Sequence, residues 1–231
     1  MSTLYLLPTP LGDDEKVWLL PHDLEKIRHI QHFVVEAEKT ARRHLKLLNL
    51  DTPLQQLHLS RLDEHSKLDS LPEMLSPLLQ GHDMALMSEA GCPAVADPGA
   101  ALVALAHKHN INVVPLVGAS SLLLALMASG ANGQSFAFQG YLPADSDGRK
   151  TALRRLEKKA IAGESQIFIE TPYRNDAMLA DILSTLHRET HLCVACDLLQ
   201  QTQSIISATI GDWHAKSLPN LKKRPSVFII Y

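Results

Sequence analysis

The segment Met84–Gly99 reads MALMSEAGCPAVADPG and begins with a four-residue apolar run. Such a run is typical of a buried parallel strand. It breaks into small residues with two prolines, and residues 100–109 then predict a helix. A strand, a long loop of small residues and a helix are how an α/β sheet builds a binding crevice at its carboxyl edge. Loops of this length are uncommon unless they are functional, so we interpret the loop as ligand-binding rather than as a plain connection.

The composition describes an ordinary globular protein. The chain has 231 residues, of which 45% are hydrophobic and 20% charged, enough for one large or two small domains. No apolar run is long enough to span a bilayer, and the N-terminus lacks a basic signal segment. Three cysteines argue against a disulfide framework, so we predict a cytoplasmic protein with no membrane contact. Cys193 and Cys196 lie in an apolar run and predict two buried strand cysteines rather than a metal or redox site.

The net charge of −3 carries no global basic signature, but the basic residues are clustered. The clusters fall in two predicted helices and one short run: Lys39, Arg42, Arg43 and Lys46; Arg149, Lys150, Arg154, Arg155, Lys158 and Lys159; and Lys222, Lys223 and Arg224. Each cluster is typical of a solvated helix face. Together they are also compatible with a basic rim for a polyanion.

Hydrophobic periodicity predicts an α/β protein. In the first half, strands at 4–7, 32–35, 56–62, 84–87 and 113–116 alternate with helices at 21–29, 36–48, 71–79, 100–109 and 122–129. This alternation predicts a mainly parallel sheet. The pattern changes near 130–133, after which strands at 136–138, 166–169, 192–196, 203–210 and 226–231 are separated by helices only at 148–161 and 175–187. We therefore expect a mixed or antiparallel second sheet.

The familiar catalytic motifs are missing. The chain has no P-loop, no GxGxxG after the first strand, no GxSxG and no HExxH, so nothing requires a metal or a covalent intermediate. What remains is a crevice formed by Pro10, the loop 88–97 that begins at Ser88, the turns 118–121 and 140–142, and Glu170–Pro172. This apolar, backbone-rich lining suits a ligand held by an aromatic base, a ribose and main-chain contacts.

Six motifs carry a family resemblance. They are PTPLG (8–12), AEKTARR (37–43), SEAGCPAVADPG (88–99), PLVGASSLLLALMASG (115–130), GYLP (140–143) and ETPYR (170–174). In this order they resemble the tetrapyrrole methylase superfamily, and within it the ribosomal RNA small subunit cytidine 2′-O-methyltransferase family. The resemblance covers nearly the whole chain and is densest over 84–143.

The resemblance implies two α/β domains, which we place at 1–117 and 118–231, with a cofactor cleft between them and a homodimeric assembly. It implies an S-adenosylmethionine-dependent methyltransferase that leaves S-adenosylhomocysteine as product. Matching positions place the cofactor on Glu89, Ala90, Gly91, Cys92, Pro93, Ala94, Val95 and Asp97, then on Gly118, Ala119 and Ser120, on Tyr141 and Leu142, and on Thr171 and Pro172. The sulfonium methyl is already electrophilic, so the protein mainly aligns it with the acceptor and provides a route for the acceptor proton.

The chain departs from the family at motifs around these positions. Family members typically read Ala-Glu-Asp-Thr-Arg where this chain reads Ala-Glu-Lys-Thr-Ala at 37–41. Their Ser-Asp-Ala-Gly is Ser-Glu-Ala-Gly at 88–91, and their Pro-Gly-Pro-Ser is Val-Gly-Ala-Ser at 117–120. The motifs at the expected cofactor positions are therefore closer to the family pattern than the motifs expected to face the methyl acceptor.

Two glutamates are candidate catalytic residues. Glu170 ends a predicted strand at the crevice, where it is placed to act as a base or to cap the following helix. Glu38 lies among the basic residues of its helix, where an exposed ion pair is the alternative. The candidates for RNA phosphate contacts are Arg42, Arg43, Lys150, Arg154, Arg155 and Arg174, and Arg174 has the alternative of pairing with Glu170.

The leading hypothesis is methyl transfer from S-adenosylmethionine to a ribose 2′-hydroxyl of ribosomal RNA. Two alternatives stay open from the residues alone. One is a methylase of a small molecule such as a tetrapyrrole, and the other is a cofactor-binding module without catalysis, which the altered residues Lys39 and Ala41 suggest.

Overall fold

A computed structural model describes residues 2–12, 18–63, 65–66 and 68–231. The chain divides into two compact units, Met1–Ser120 and Ser121–Tyr231. Each unit has its own five-stranded sheet. No helix in the described residues has the length and apolar character needed to cross a membrane.

The first unit is built on a wholly parallel sheet with the strand order β3-β2-β4-β1-β5. Its strands are β1 (Thr3–Leu7), β2 (His32–Val35), β3 (His58–Arg61), β4 (Met84–Met87) and β5 (Asn112–Pro115). The mainly parallel sheet predicted from the alternating pattern is confirmed. All four residues of β4 are buried, because helices cover both faces of a parallel sheet.

In the described part of the first unit four α-helices accompany this sheet, and two clusters of buried apolar side chains form its core. The helices are α1 (Pro21–Ile27), α2 (Glu38–Leu48), α3 (Leu71–Leu79) and α4 (Ala100–Lys108). One cluster is centred on Phe33 and Leu45 and the other on Leu75 and Leu102. Helix α2 turns Ala41, Leu45 and Leu48 inward at helical spacing, which leaves its basic residues on the outer side.

The second unit has a mixed sheet with the order β6-β7-β10-β8-β9. Its strands are β6 (Phe136–Tyr141), β7 (Ser165–Ile169), β8 (His191–Cys196), β9 (Ser204–Thr209) and β10 (Ser226–Ile230). Only β6 and β7 are parallel, and the remaining pairs are antiparallel. The mixed alternative of the sequence prediction is therefore confirmed, since β8 and β9 follow each other without a crossover helix.

The helices of the second unit are α5 (Ser121–Ser129), α6 (Ser146–Ile161), α7 (Asn175–Thr185) and α8 (Ile210–His214). A single apolar cluster that includes Phe168, Phe228 and Trp213 forms the core. The strand predicted at 203–210 ends at Thr209, and α8, which the periodicity did not predict, begins at the next residue. The Thr209 hydroxyl accepts a hydrogen bond from the Asp212 amide and so caps a helix where the periodicity suggested only a strand end.

Candidate functional site

Three loops of the first unit meet at the carboxyl edge of its sheet. Strands β1 and β2 both pair with Met87, the last residue of β4, so the chain leaves all three strands at the same edge. Beyond that edge Thr9 and Gly91 form an isolated antiparallel bridge, with N–O distances of 2.8 and 3.1 Å. The bridge brings the segment containing Pro10 onto the loop 88–97, which the sequence analysis had placed in one crevice.

The loop 88–99 has an unusual backbone. Gly91 adopts φ +85°, and two non-glycine residues, Ala94 and Ala96, have φ values of +64° and +63°. A left-handed conformation costs an L-residue about 1–2 kcal/mol. Strain of this kind persists where the surrounding structure imposes it, and it clusters at ligand sites. The backbone therefore supports the interpretation of this loop as ligand-binding.

The turn at 118–120 packs against the same loops. A Cβ atom on Gly118 would overlap the ring of Pro8, so no side chain fits there. The Cys92 thiol lies 3.4 Å from the Ala119 carbonyl oxygen, which it contacts as a weak donor. The predicted cofactor residues that belong to these three joined segments are Pro10, Ser88, Glu89, Ala90, Gly91, Cys92, Pro93, Ala94, Val95, Asp97, Gly118, Ala119 and Ser120.

A carboxylate cluster borders this loop. The Thr40 hydroxyl donates to Glu89 Oε1 at 3.2 Å, and the Glu89 amide donates to Glu36 Oε2 at 3.2 Å. Burial, together with the charges of Glu36 and Glu89, raises the pKa of Asp97 to about 6, against the opposing hydrogen bond from Ser88. Polar contacts thus join the start of helix α2 to the loop, although Lys39 and Ala41 stand where the family pattern has Asp and Arg.

Glu38 lies away from these contacts. Its side chain is exposed, and its Oε2 is 3.8 Å from Arg42 Nη2, one helical turn further on. The described hydrogen bonds link this segment to the loop through Glu36 and Thr40. The catalytic role predicted for Glu38 stays a prediction, and the exposed ion pair considered as its alternative is present.

One edge of the second sheet gathers the remaining predicted cofactor residues. Tyr141 at the end of β6 is in register with Ile169 at the end of β7, next to Thr171 and Pro172. The segment 140–142 is not the turn that the sequence analysis predicted, because β6 continues to Tyr141 through an irregular register, with Gly140 at φ +67°. Leu142 is 6% exposed and packs in the core, so its side chain is not available to a ligand.

Glu170 is held firmly at this edge. It is 4% exposed, and its Oε1 accepts hydrogen bonds of 2.6 Å from the Thr171 amide and from Arg174 Nη2. Of the two roles considered for Arg174, the structure shows the pairing with Glu170. The other carboxylate oxygen, Oε2, and Arg174 Nε are buried without a hydrogen-bond partner among the described residues. A buried acceptor without a partner is costly, and it is a typical feature of a functional position.

The basic candidates differ in how exposed they are. Arg42 donates to a main-chain carbonyl at 3.1 Å, and Lys150 lies 3.5 Å from the carboxylate of Asp181. Arg43, Arg154 and Arg155 are on exposed helix surfaces. Arg149, counted in the basic run of the same helix, is instead buried and donates from Nε to Asp181 at 2.7 Å. Part of this run is therefore structural rather than solvated.

Several contacts at these edges lay outside the sequence prediction. The bridge between Thr9 and Gly91 joins residues more than 80 positions apart, and no local pattern signals it. Glu36 was detectable, because it directly follows a buried strand just as Glu170 does. A polar residue at the carboxyl end of a parallel strand is the signal that identifies both.

Comparison with known proteins identifies the family. The chain is 31% identical over 213 residues to the ribosomal RNA small subunit methyltransferase I of Pseudomonas aeruginosa, covering 92% of this chain and 72% of the relative. The protein of the same name from Escherichia coli O157:H7 is 31% identical over 229 residues, or 98% and 77% of the two chains. The chain belongs to the ribosomal RNA small subunit methyltransferase I family.

Membership of the ribosomal RNA small subunit methyltransferase I family confirms the resemblance seen in the six motifs and makes this chain a methyltransferase. No family model matches it. Among solved structures, the methyltransferase CobJ aligns with a TM-score of 0.63 at 19% identity, over 99% of this chain and 92% of that one. Diphthine synthase aligns with a TM-score of 0.68 at 13% identity, over 99% and 89%. At these identities the likeness shows the fold, in agreement with two α/β units.

Proposed function

We propose that this methyltransferase transfers the methyl group of S-adenosylmethionine to a ribose 2′-hydroxyl of ribosomal RNA. The observation that carries the proposal is the strained loop 88–97, which is joined to Pro8–Pro10 and to the turn at 118–120. The assignment of ribosomal RNA as the methyl acceptor is supported by the names of the relatives. We extend the proposal to a homodimer working in the cytoplasm.

The residues at the first edge fit this cofactor chemically. Gly91, Ala90 and Ala94 are small, so the main chain can approach a ligand closely. Glu89 and Asp97 supply carboxylate oxygens, which accept hydrogen bonds from ribose hydroxyls and attract a positive charge. Tyr141, Leu142, Thr171 and Pro172 of the second unit complete the proposed set, Leu142 through its main chain.

S-adenosylmethionine, when bound, supplies a methyl group made electrophilic by the adjacent sulfonium. The chain has then to position the acceptor hydroxyl and remove its proton. Glu170 is the proposed residue for the proton, because Oε2 is an acceptor without a partner while Arg174 holds Oε1. Glu38 is the second candidate, and its exposed position makes it the weaker one.

Calorimetry with S-adenosylhomocysteine tests the cofactor half of the proposal. Gly91→Ala is expected to weaken binding about tenfold or more, because a residue with a Cβ is strained at φ +85° and that atom would lie 3.3 Å from Leu11 Cδ2. Gly133→Ala is the control, since a Cβ there meets nothing within 4 Å. If the unaltered protein fails to bind at high micromolar ligand, the cofactor assignment is wrong.

Labelled methyl transfer tests the acceptor half. The protein is incubated with methyl-labelled S-adenosylmethionine and small ribosomal subunits from a strain that lacks the gene, and the RNA is digested to nucleosides. Label in a 2′-O-methylated nucleoside is the expected result. Label on a base would reject the ribose assignment. Cofactor binding without any transfer to RNA would reject the ribosomal acceptor and favour a small-molecule methylase or a binding module.

A further inference from the structure

The edge of the second sheet that carries Glu170 also collects exposed aromatic and basic side chains. Ile169, the last residue of β7, is in register with Tyr141 on one side and with Val227 at the start of β10 on the other. The segments that follow β7 and precede β10 therefore lie at the same edge. We name Tyr141, Tyr173, Lys222 and Lys223 the edge surface.

Main-chain contacts hold the lysine segment against the loop after β7. The Lys223 amide donates to the Pro172 carbonyl at 2.9 Å, and Asn175 Nδ2 donates to the Arg224 carbonyl at 2.7 Å. The Leu221 amide donates to an oxygen of the Asp176 carboxylate at 2.9 Å. The lysines are thus fixed beside Glu170–Arg174 and do not lie on a loose loop.

Arg224, from the same basic run, stabilises the fold through its side chain. Its guanidinium donates to Asp197 Oδ2 at 2.7 Å and to the Thr202 carbonyl at 2.6 Å, which joins the connection after β8 to the turn before β10. Lys222 and Lys223 are exposed, and neither forms an ion pair within the described part of the chain. Two ammonium groups are therefore available for a polyanion at this edge.

Two exposed aromatic residues belong to the same edge of the sheet. Tyr173 is 74% exposed and Tyr141 is 56% exposed. A large exposed aromatic ring beside lysines is the combination that binds unpaired nucleic acid strands, because bases stack on the ring while the ammonium groups neutralise phosphates. Double-stranded RNA keeps its bases stacked in the helix and offers no free face to such a ring.

We propose that the edge surface holds an unpaired strand of the acceptor RNA, with a base stacked on Tyr173 and phosphates on Lys222 and Lys223. This inference rests on the proposed function and names the part of the chain that receives the substrate. The strand would pass beside Glu170, which is three residues before Tyr173.

Fluorescence anisotropy with the full chain tests the proposal, using a labelled single-stranded 12-mer RNA of mixed sequence and the corresponding duplex. The variants are Lys222→Ala/Lys223→Ala, Tyr173→Ala and Tyr173→Trp. Lys108→Ala/Lys216→Ala is the charge-matched control, because both lysines are exposed and lie outside the basic runs and the edge surface.

The lysine pair variant is expected to bind the single strand about tenfold more weakly, with a salt slope smaller by about 1.4, or about 0.7 for each lost phosphate contact. Tyr173→Ala is expected to lose about tenfold, whereas Tyr173→Trp retains the affinity. Losses no larger than those of the control would overturn the proposal. Equal affinity for the duplex, or displacement of the RNA by polyglutamate at equal charge, would also overturn it.

Two further measurements separate this proposal from the proposed function. The same variants are expected to bind S-adenosylhomocysteine like the unaltered protein, and to show a raised KM for ribosomal subunits with kcat unchanged. If both Lys222→Ala/Lys223→Ala and Tyr173→Ala transfer the methyl group at an unchanged kcat/KM, the proposal for the edge surface is overturned. The proposed function is not affected by that result. If the unaltered protein methylates no RNA while the anisotropy differences hold, the proposed function fails and the surface stands.

Discussion

Asp97 makes the stability of the first unit depend on pH. Its pKa is raised to about 6 from the ordinary 3.8, first by burial and then by the charge of Glu36. The folded chain therefore binds this proton more tightly than the unfolded chain does. The stability that the protonated carboxyl contributes is fully present below about pH 4 and is lost as the pH rises through about 6.

Asp97→Asn removes this titration while keeping the shape of the side chain. The Tm of the variant minus the Tm of the unaltered protein is expected to increase from pH 4 to pH 7.5. Most of this increase should occur below about pH 6. Thermal unfolding at four pH values between these limits provides the measurement. Asp147→Asn, on the exposed start of α6, serves as the control for the loss of a surface carboxyl group. A difference for Asp97→Asn that does not change with pH would contradict the raised pKa of Asp97.

Glu170 and Glu38 can be separated by their glutamine variants. Glu170→Gln is expected to lower kcat about 100-fold or more, the contribution typical of a positioned base, and to leave S-adenosylhomocysteine binding unchanged. Glu38→Gln is expected to stay near the unaltered rate, because its carboxylate faces Arg42 on the helix surface. Rates measured with saturating ribosomal subunits decide between them. The reverse order of the two effects would move the catalytic role to Glu38.

At the scale of the elements, a buried ion pair joins α6 to α7. Arg149 donates from Nε to Asp181 Oδ2 at 2.7 Å and also to the Ala144 carbonyl at 2.9 Å. Ser146 donates to the same carboxylate at 3.0 Å. Because Arg149 is 5% exposed, the guanidinium has few contacts with water and depends on these partners.

Arg149→Met is expected to lower the free energy of unfolding by about 3 kcal/mol, because it leaves the largely buried carboxylate of Asp181 with Ser146 and Lys150 as its remaining partners. Arg149→Met/Asp181→Leu should recover much of that loss, since it removes both charges. Urea denaturation measures both, and Lys158→Met on the exposed end of α6 should change stability by less than about 0.5 kcal/mol. If the double variant is as unstable as the single one, packing rather than charge explains the loss.

At the scale of the whole molecule, each unit has the sheet and the buried apolar cluster of an independent domain. We expect residues 1–120 and 121–231 to fold as separate fragments with cooperative unfolding by circular dichroism. The fragment 1–117, cut at the boundary predicted from sequence, is expected to be less stable. It loses Gly118 next to Pro8 and the Ala119 carbonyl that contacts Cys92. Equal stability of 1–117 and 1–120 would favour the earlier boundary.

Much of the fold could be predicted from local patterns. Strands β2 and β4 and helix α3 lie where the periodicity placed them, because burial on one or both faces imposes a regular spacing of apolar residues. The errors lie where one local contact changes the outcome. A hydroxyl cap begins α8 after Thr209, and a glycine with positive φ lets β6 continue through residue 140.

The candidate site could likewise be predicted only in part. The sequence by itself determined the small-residue loop and the family, because these are properties of segments read in order. Only the tertiary structure decided that Thr9 bridges Gly91, that Arg149 is buried, and that Lys223 lies against Pro172. These contacts join residues far apart in the chain, and they exist because parallel strands end at one edge and burial requires each polar group to find a partner.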